Sequence, residues 1–264
     1  MGSSRLPGKV MLPLLGKSLL ARMIERLQMI RYPVSLIIAT SENEEDDLIV
    51  QEAEALEIEW FRGSEHNLLK RHYYAAKLLD AAFVVKVPSD CPLIDPRAVD
   101  RVLDYFFRSA SKIDYVSNLH PATWPDGNDV EIVTIECLER TWKNANRPLE
   151  LEHTTPYIWE NPDLFNIGNV AWETGKDYSM SHRFTIDYLE DYQFIERVFE
   201  ELYPSNPNFS CQDIIDLLER EPGIYALNAR YAGVNWYRNH LDELKTILPV
   251  HTKQAPIPVL EKVN

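Results

Sequence analysis

The first nine residues of the chain, Met1 to Lys9, read MGSSRLPGK and contain several residues of the types that bind phosphate groups. Glycines let backbone N–H groups approach a polyphosphate closely, serine hydroxyls add donors, and cations offset the charge of a phosphoryl group. The stretch provides all three kinds of group: Gly2, Ser3, Ser4, Arg5, Gly8 and Lys9. This pattern predicts the phosphate-binding loop of an α/β nucleotide site, although a flexible basic N-terminus would have a similar composition.

The charge distribution favours an anionic ligand at this end of the chain. The whole chain has 27 Lys and Arg residues against 41 Asp and Glu residues, a formal net charge of −14. Residues 1–31 depart from this balance, with six basic side chains, including Lys17 in a second Gly-Lys pair, against the single acid Glu25. A net acidic chain is poorly suited to a nucleic-acid backbone, so we expect a small anionic ligand instead.

The composition is that of a globular protein, with 264 residues, 45% of them hydrophobic and 26% charged. No apolar run reaches the ~20 residues that cross a bilayer, and no signal peptide precedes the first motif. We therefore expect a cytoplasmic protein that binds no membrane. Cys91, Cys137 and Cys211 form no C-x-x-C pair, which favours buried reduced thiols over a disulfide framework or a zinc site.

Helical and strand patterns alternate along the first half of the chain. Predicted helices cover about 19–30, 44–56, 67–79 and 95–107, and predicted strands cover 34–40, 57–61, 82–87 and 113–117. Short connections between alternating elements predict an α/β fold, with a mostly parallel sheet that carries helices on both faces.

The pattern of the second half predicts a strand with one solvent-exposed face at 129–135 and a further strand at 183–187. It also predicts helices near 136–145, 152–160, 189–203 and 211–220. Prolines and a glycine cluster at 118–128, where a boundary between two halves is expected. We predict one domain over 1–250, with a nucleotide-binding half (1–118) and a sugar-acceptor half (119–250), and a C-terminal tail at 251–264.

Asp90 is a candidate metal ligand because it directly follows the predicted strand 82–87. In open α/β sheets, ligands bind beyond the carboxyl ends of the strands, where a carboxylate can contribute to a magnesium site. Taken alone, such an aspartate is more often a turn former. Asp95 differs, since its position directly before Pro96 predicts a helix N-cap.

Three segments together resemble the cytidylyltransferase family that activates acidic sugars such as KDO and sialic acids. MGSSRLPGK resembles the family signature R-x-G-S-x-R-L-P-G-K, and DCPLIDP at 90–96 resembles the metal-binding strand end. RFTIDYLED at 183–191 resembles R-x-T-V-D-T-P-E-D, with Tyr188 and Leu189 in place of Thr-Pro. The resemblance extends to about residue 205 and is nearest to the branch typified by spore coat polysaccharide biosynthesis protein F.

This resemblance implies a Rossmann-like nucleotidyltransferase fold of the glycosyltransferase-A-like type. It also implies transfer of CMP from CTP to a sugar, with release of pyrophosphate, and the expected sugar is an acidic sugar of a cell-surface polysaccharide. Relatives are usually homodimers, so a homodimer is expected.

The resemblance assigns roles to individual residues. Mg²⁺ would bind Asp90 and Asp187, and Arg5, Lys9 and Lys17 would stabilise charge on the phosphates. The further nucleotide-binding positions are Gly2, Ser3, Ser4, Gly8, Arg62, Gly63 and Ser64, although residues 62–64 also fit a plain turn before a helix. The predicted sugar-binding positions are Asp129, Glu131, Glu152 and His153.

Two other functions fit the same fold. A glycosyltransferase that consumes a nucleotide sugar commonly holds its metal through Asp-x-Asp, and no two aspartates here are separated by one residue. A catalytically silent relative could act as a binding protein. The sequence does not name the sugar.

The resemblance also bears on the start of the fold. Relatives carry an apolar strand ending in Gln-Ala-Arg directly before this loop, whereas here the loop begins at residue 1. Met1 therefore resembles an internal methionine of the motif, and we expect the first strand of the fold to be missing from this chain.

Overall fold

The structure is a computed structural model that describes residues 1–109 and 112–254. The strands are β1 (Pro13–Leu14), β2 (Lys17–Ser18), β3 (Ile37–Ser41), β4 (Glu59–Gly63), β5 (Phe83–Lys86), β6 (Tyr115–Ser117), β7 (Glu131–Thr134) and β8 (Ile167–Asn169). The α-helices are α1 (Leu19–Leu27), α2 (Asp47–Ala55), α3 (Leu68–Leu78), α4 (Pro96–Arg108), α5 (Ile135–Asn144), α6 (Pro148–His153), α7 (Pro156–Trp159), α8 (Leu189–Leu202), α9 (Cys211–Arg220) and α10 (Pro222–Ala226).

Local sequence signals set the helix boundaries as expected. The Ser18 side chain accepts a hydrogen bond from the Ala21 amide at the start of α1, and Asp95 accepts one from the Arg97 amide at the start of α4. Pro96 occupies the first turn of α4, where its missing N–H costs nothing. The predicted N-cap role of Asp95 is therefore confirmed.

The strands form three separate sheets in the described part of the chain. β1 and β2 make a small antiparallel pair, and β3 pairs with β4 in parallel. The largest sheet has the order β5-β7-β6-β8, in which β7 runs antiparallel to both neighbours and β6 and β8 are parallel. The predicted α/β class is confirmed, and the reversed strand β7 is a feature that an apolar run cannot reveal.

Core packing fixes the backbone beside two of the predicted metal ligands. Leu93 and Ile186 are both 1% exposed or less and share an apolar cluster with the buried faces of α8 and α9. Leu93 follows Asp90 by three residues and Ile186 directly precedes Asp187. Core packing therefore holds the backbone beside both aspartates in place.

Residues 183–187 do not form the strand that the sequence predicts. A single parallel bridge joins Asp126 to Arg183, and the Ile186 amide donates instead to the Asp90 carbonyl at 2.9 Å. The segment is extended, but its backbone hydrogen bonds go to two loops. The strand prediction was wrong because a short apolar run does not reveal which backbone groups it will meet.

Gly127 permits the close approach of the 126–129 loop to this segment. Its φ is 101°, in the region that favours glycine. A Cβ atom there would lie 2.5 Å from the Thr185 nitrogen and 2.6 Å from the Phe184 carbonyl carbon. The glycine is therefore required both by its backbone angle and by the space available.

The C-terminal residues as far as Gln254 are described, and the Lys253 amide donates to the Gly233 carbonyl at 2.6 Å. The remainder of the predicted tail, 255–264, lies outside the described residues. In the described part of the chain, every helix is too short or too polar to cross a membrane. The division into domain halves stays a prediction.

We predict that Gly127→Ala destabilises the fold by roughly 2–4 kcal/mol, since the added methyl meets backbone atoms that cannot move aside cheaply. Urea unfolding measures the change. Gly223→Ala is the matched control, because Gly223 lies in α10 and a Cβ there would meet nothing within 4 Å. Equal stabilities of the two variants would contradict the packing described for Gly127.

Candidate active site

Lys9 lies at the centre of a cluster of charged side chains. Its Nζ donates to the Asp90 Oδ2 at 3.0 Å, to the Asp187 Oδ1 at 2.9 Å and to the Ile186 carbonyl at 2.6 Å. Burial acts to lower the pKa of Lys9, but the two carboxylates outweigh it, so that the pKa is raised above its ordinary value. The ammonium group is therefore held charged between the two predicted metal ligands.

Three distant parts of the sequence meet at this point. Lys9 begins a short 3-10 helix after the N-terminal loop, Asp90 follows β5 by four residues, and Asp187 precedes the first residue of α8 by two positions. The Thr185 hydroxyl donates to the Asp90 carbonyl at 2.9 Å, as the Ile186 amide does. These bonds hold the backbone of Asp90 against the backbone that leads to Asp187.

Arg5 reaches the same cluster from the N-terminal loop. Its Nη2 donates to the Asp187 Oδ1 at 2.6 Å, and the side chain is 52% exposed. An exposed guanidinium beside a buried ammonium presents positive charge to solvent at the edge of the site, where a phosphate group could contact both.

The N-terminal loop itself is curled by backbone hydrogen bonds. The Met1 carbonyl accepts from the amides of Ser3 at 3.0 Å and Gly8 at 3.1 Å, and the Ser3 hydroxyl accepts from the Leu6 amide at 3.3 Å. Gly8 has a φ of 68°, which glycine adopts readily. Gly2 and Ser4 are exposed, so the loop offers backbone and hydroxyl groups beside Arg5.

Arg183 is the buried cation beneath the cluster. The side chain is 1% exposed, and it donates to Asp126 at 3.1 Å, to Asp187 at 2.8 Å and to Asp191 at 3.0 Å. Burial alone would lower its pKa, but these three carboxylates raise it above the ordinary value. Arg183 and Lys9 thus bind Asp187 from opposite sides, one through each carboxylate oxygen.

Asp191 supports this arrangement from the first turn of α8. Its Oδ2 accepts from the amides of Asp187 at 2.9 Å and Tyr188 at 3.0 Å, and its Oδ1 accepts from Asn228 at 3.0 Å. A carboxylate in the first turn of a helix also interacts favourably with the helix dipole. The structure adds that this fully buried carboxylate fixes both the backbone of Asp187 and the guanidinium of Arg183.

Two further carboxylates, Asp126 and Asp129, line the cavity beside the cluster. Burial raises the pKa of Asp126 to about 8. The positive charge of Arg183 acts to lower this pKa, and the negative charges of nearby carboxylates act to raise it. Burial likewise raises the pKa of Asp129 to about 6, and the positive charge of Lys86 acts to lower it. The Asp129 carboxylate accepts one long hydrogen bond, from the Gly127 amide at 3.4 Å, which leaves capacity for a ligand.

The structure places Lys17 outside this cluster. Its Nζ lies 2.5 Å from the Glu25 Oε1, with the side chain 47% exposed, and Lys17 does not line the cavity. Lys17 lies in β2 and forms an ion pair with Glu25 of α1. By contrast, Lys9 contacts both Asp90 and Asp187, and Arg5 contacts Asp187.

Residues 62–64 also lie apart from the cluster. Arg62 donates to the Ser41 carbonyl at 2.9 Å and to Asp47 at 2.6 Å, which connects the end of β4 to the loop after β3. Gly63 is buried, and a Cβ there would lie 3.1 Å from the Phe61 and Arg71 side chains. The Ser64 carbonyl accepts from Arg71 at 3.4 Å. These contacts account for the segment as a turn, and its contact with a nucleotide base stays a prediction.

Glu131 belongs to a buried hydrogen-bond network at the wall of the cavity. It lies 2.5 Å from the Lys86 Nζ and accepts hydrogen bonds from the Tyr115 hydroxyl at 2.6 Å and from the Thr155 hydroxyl. The side chain is 3% exposed, and both carboxylate oxygens are already bonded. Glu131 also lines the cavity, and its contact with a sugar stays a prediction.

Glu152 and His153 line the same cavity at the end of α6. Glu152 is exposed, whereas the His153 ring stacks on Trp236 with centroids 3.7 Å apart and planes 14° apart. Burial lowers the pKa of His153 to about 3, so the imidazole is neutral near pH 7. Trp236 was not singled out by the sequence, which gave no sign of this pairing.

Asp90 and Asp187 suit a divalent cation in their donor chemistry. Both carboxylates lie within 3.0 Å of one nitrogen, so a single cation can contact both. Within residues 1–109 and 112–254, no group of three or more Asp, Glu, His or Cys side chains is arranged to hold a metal. A site of two carboxylates completed by phosphate oxygens and water is typical of Mg²⁺.

Comparison with known proteins places these residues in a family. The family described as "Cytidylyltransferase" matches residues 1–221. The chain belongs to the cytidylyltransferase family. It is therefore a nucleotidyltransferase, which confirms the resemblance seen in the three sequence motifs.

Individual relatives of this cytidylyltransferase agree with the assignment. An uncharacterised protein of Methanocaldococcus jannaschii is 33% identical, with 86% of this chain and 90% of the relative covered. The spore coat polysaccharide biosynthesis protein SpsF of Bacillus subtilis is 29% identical, with 84% and 92% covered. A solved cytidylyltransferase structure from Leptospira borgpetersenii is 33% identical, with a TM-score of 0.80 and coverage of 85% and 92%.

Two members of the cytidylyltransferase site were missed by reasoning from sequence. Arg183 was noted only as part of a motif, although its spacing of four residues from Asp187 and eight from Asp191 could have indicated ion pairs. Asp126 gave no local signal, because its contact with Arg183 spans 57 positions in the sequence.

We predict a pH-dependent effect of Asp126→Asn on stability. The folded protein keeps the Asp126 proton to a higher pH than the unfolded chain does. The resulting contribution to stability is therefore lost as the pH rises from the ordinary aspartate pKa through about 8. The parent should lose about 4 kcal/mol of unfolding free energy relative to the variant between about pH 5 and about pH 9, since each pH unit between about 5 and 8 costs about 1.4 kcal/mol.

Urea unfolding of both proteins at the two pH values measures this difference. Asp163→Asn is the control, since Asp163 is exposed and should give parallel pH profiles. A constant difference between the parent and Asp126→Asn would show that Asp126 is ionised throughout the range.

Proposed function

We propose that the protein transfers CMP from CTP to a sugar hydroxyl. In this reaction the sugar hydroxyl oxygen bonds to the α-phosphorus and its proton passes to solvent, the bond from that phosphorus to the oxygen bridging the β-phosphate breaks, and pyrophosphate leaves. The observation that supports it best is the convergence of Lys9, Asp90 and Asp187 beside the N-terminal loop. Family membership supports the same reaction class.

The two cations of the loop have complementary roles in this proposal. Lys9 is 14% exposed and fixed by three acceptors, so its charge is preorganised where a triphosphate would be bound. Arg5 is more exposed and can pair with a phosphate oxygen at the rim. Preorganised positive charge stabilises the negative charge that develops on the phosphoryl oxygens and on the leaving pyrophosphate.

Asp90 and Asp187 are the proposed ligands of a divalent cation, for which we propose Mg²⁺. When bound, the cation would act as a Lewis acid toward phosphate oxygens. Arg183 and Asp191 hold the Asp187 carboxylate and backbone in place, so this ligand is positioned before any substrate arrives.

The proposed acceptor is a sugar bound on the side of the cavity formed by Asp129, Glu152 and His153. Asp129 has unused acceptor capacity for sugar hydroxyls, and Glu152 is exposed toward solvent. We further propose an acidic sugar of a cell-surface polysaccharide, whose carboxylate would require a cation. Lys86 and Arg238 line this part of the cavity, and the relationship to SpsF supports the polysaccharide role.

Pyrophosphate release tests the reaction directly. The protein should release pyrophosphate with CTP, a divalent metal and an acidic sugar, and much less with ATP, GTP or UTP. A panel of acidic, neutral and amino sugars identifies the acceptor class. Release of free nucleotide from a nucleotide sugar, without pyrophosphate formation from CTP, would instead indicate a glycosyltransferase.

We predict that Asp90→Asn and Asp187→Asn each lower the rate of pyrophosphate release by about 10²-fold or more, since each removes a charged ligand from the phosphate site. The loss should be partly relieved at higher metal concentration. Asp163→Asn, an exposed carboxylate away from the cavity, should act like the parent. Parental activity in both cluster variants would remove Asp90 and Asp187 from the site.

Lys9→Met and Lys17→Met form a matched pair in the same segment. Lys9 contacts both central aspartates and Lys17 contacts Glu25, so only Lys9→Met should slow pyrophosphate release, by about 10²-fold. Circular dichroism checks that both variants are folded. An equal loss in Lys17→Met would restore the sequence-based assignment of Lys17 to the phosphate site.

A further inference from the structure

Residues beyond the family match form one wall of the cavity. That match ends at residue 221, whereas residues 234–240, here called the wall segment, line the cavity together with His153. Within the wall segment, Trp236 and Tyr237 are only partly buried, so part of each ring is open to the cavity. Loops held on a rigid scaffold commonly carry the residues that bind and distinguish ligands.

Hydrogen bonds hold the wall segment against the charged cluster. The Val234 carbonyl accepts from Arg183 Nη1 at 2.9 Å, and the same guanidinium binds Asp187. Just before the segment, Asn228 donates to the Arg183 carbonyl at 2.9 Å. Two residues of chain span at most about 7 Å, so the Trp236 backbone lies within that distance of Val234. The wall is therefore adjacent to the cation that positions a proposed metal ligand.

The loop that carries the wall segment is also fixed at its far side. Glu160, at the end of α7, accepts from the amides of Lys245 at 2.6 Å and Thr246 at 2.8 Å. The two ends of the loop meet where the Gly233 carbonyl accepts from the Lys253 amide. These contacts hold the wall in place without a ligand, which lowers the cost of ordering it when a ligand binds.

The turn that carries His153 to this wall is strained. Thr154 has a φ of 75°, which is unusual for a β-branched residue. Its hydroxyl lies 2.8 Å from His72 Nδ1, and the neighbouring Thr155 hydroxyl donates to Glu131. Strained backbone persists where surrounding contacts fix it, and it is concentrated at ligand sites. The turn thus supports a ligand at this wall independently of the wall segment.

The aromatic groups of the wall are uncharged near pH 7. The His153 ring stacks on Trp236, and the ring centroids of His120 and Trp159 lie 4.4 Å apart. Burial lowers the pKa of His120 to about 4, as it lowers that of His153, and burial raises the pKa of Tyr237 well above its ordinary value. Uncharged rings suit the C–H groups of a sugar, because the ring face is negative and C–H hydrogens are weakly positive.

We propose that Trp236 and Tyr237 determine acceptor specificity by contacting the C–H face of the sugar. This inference rests on the proposed transfer to a sugar and adds the surface that selects it. The acceptor is then a sugar with one uncharged, C–H-rich face, and its charged group lies away from the wall. A nucleotide base is the alternative ligand of these rings.

NMR titration of KDO, N-acetylneuraminic acid, glucose and glucosamine, with CTP titrated separately, tests the proposal. Trp236→Leu should raise the Kd of the sugar that the parent binds most tightly by about tenfold, with the Kd of CTP unchanged. Trp236→Phe keeps a ring and should stay within about threefold of the parent. Trp142→Leu is the matched control, because Trp142 stacks on Tyr73 with centroids 4.8 Å apart and does not line the cavity.

Pyrophosphate release is measured separately from binding. Sugar binding that depends on Trp236, without pyrophosphate release from CTP, would support the wall and contradict the proposed reaction. A higher Kd for CTP in Trp236→Leu would place the nucleotide at the wall and overturn the proposal. An unchanged sugar Kd in that variant, an equal rise in Trp142→Leu, or binding of none of these sugars to the parent would also overturn it.

The parent protein provides a second measurement if Trp236→Leu does not fold. The bound sugar should shift the indole N–H signal of Trp236, assigned with Trp236→Phe, and leave that of Trp142 unchanged. An unshifted Trp236 signal in the presence of a bound sugar would overturn the proposal.

Discussion

The placement of Asp187 between two cations is the constraint on which the site depends. Lys9 binds one carboxylate oxygen and Arg183 binds the other, and the partners of Arg183 include Asp126 and the buried Asp191. A buried carboxylate is stable only where opposite charge and hydrogen bonds compensate for lost hydration. The N-terminal loop, the strand end after β5 and the start of α8 are thus held together by the same charges that the chemistry requires.

This arrangement explains how an acidic chain can bind a highly anionic substrate. The formal net charge of −14 would repel a nucleoside triphosphate at long range, but local potential is set by the groups nearest the ligand. Arg5 stands at the open side of the cluster, and Lys9 lies between the carboxylates of Asp90 and Asp187. A divalent cation that enters with the nucleotide would add to this positive charge.

The sequence predicted the parts of the fold and site that depend on local signals. The starts of α1 and α4, the N-cap at Asp95 and the approximate positions of β3 to β7 follow from periodicity and capping, whereas α1 ends at Leu27 and not at the predicted residue 30. The sequence could not show that Lys17 pairs with Glu25, that Glu131 pairs with Lys86, or that Asp126 meets Arg183, because these contacts are set by tertiary packing. Lys9 and Lys17 both follow a glycine, and only the structure distinguishes them.

The central claim is that Asp90 and Asp187 hold the metal that accompanies the nucleotide while Lys9 serves the phosphates. A crystal structure with Mn²⁺ and CTP, with the metal located by anomalous scattering, tests it most directly. We predict one anomalous peak in contact with both carboxylates, with the Lys9 ammonium moved from between them onto a phosphate oxygen. A peak elsewhere, with Lys9 still bridging the two aspartates as it does here, would contradict this account.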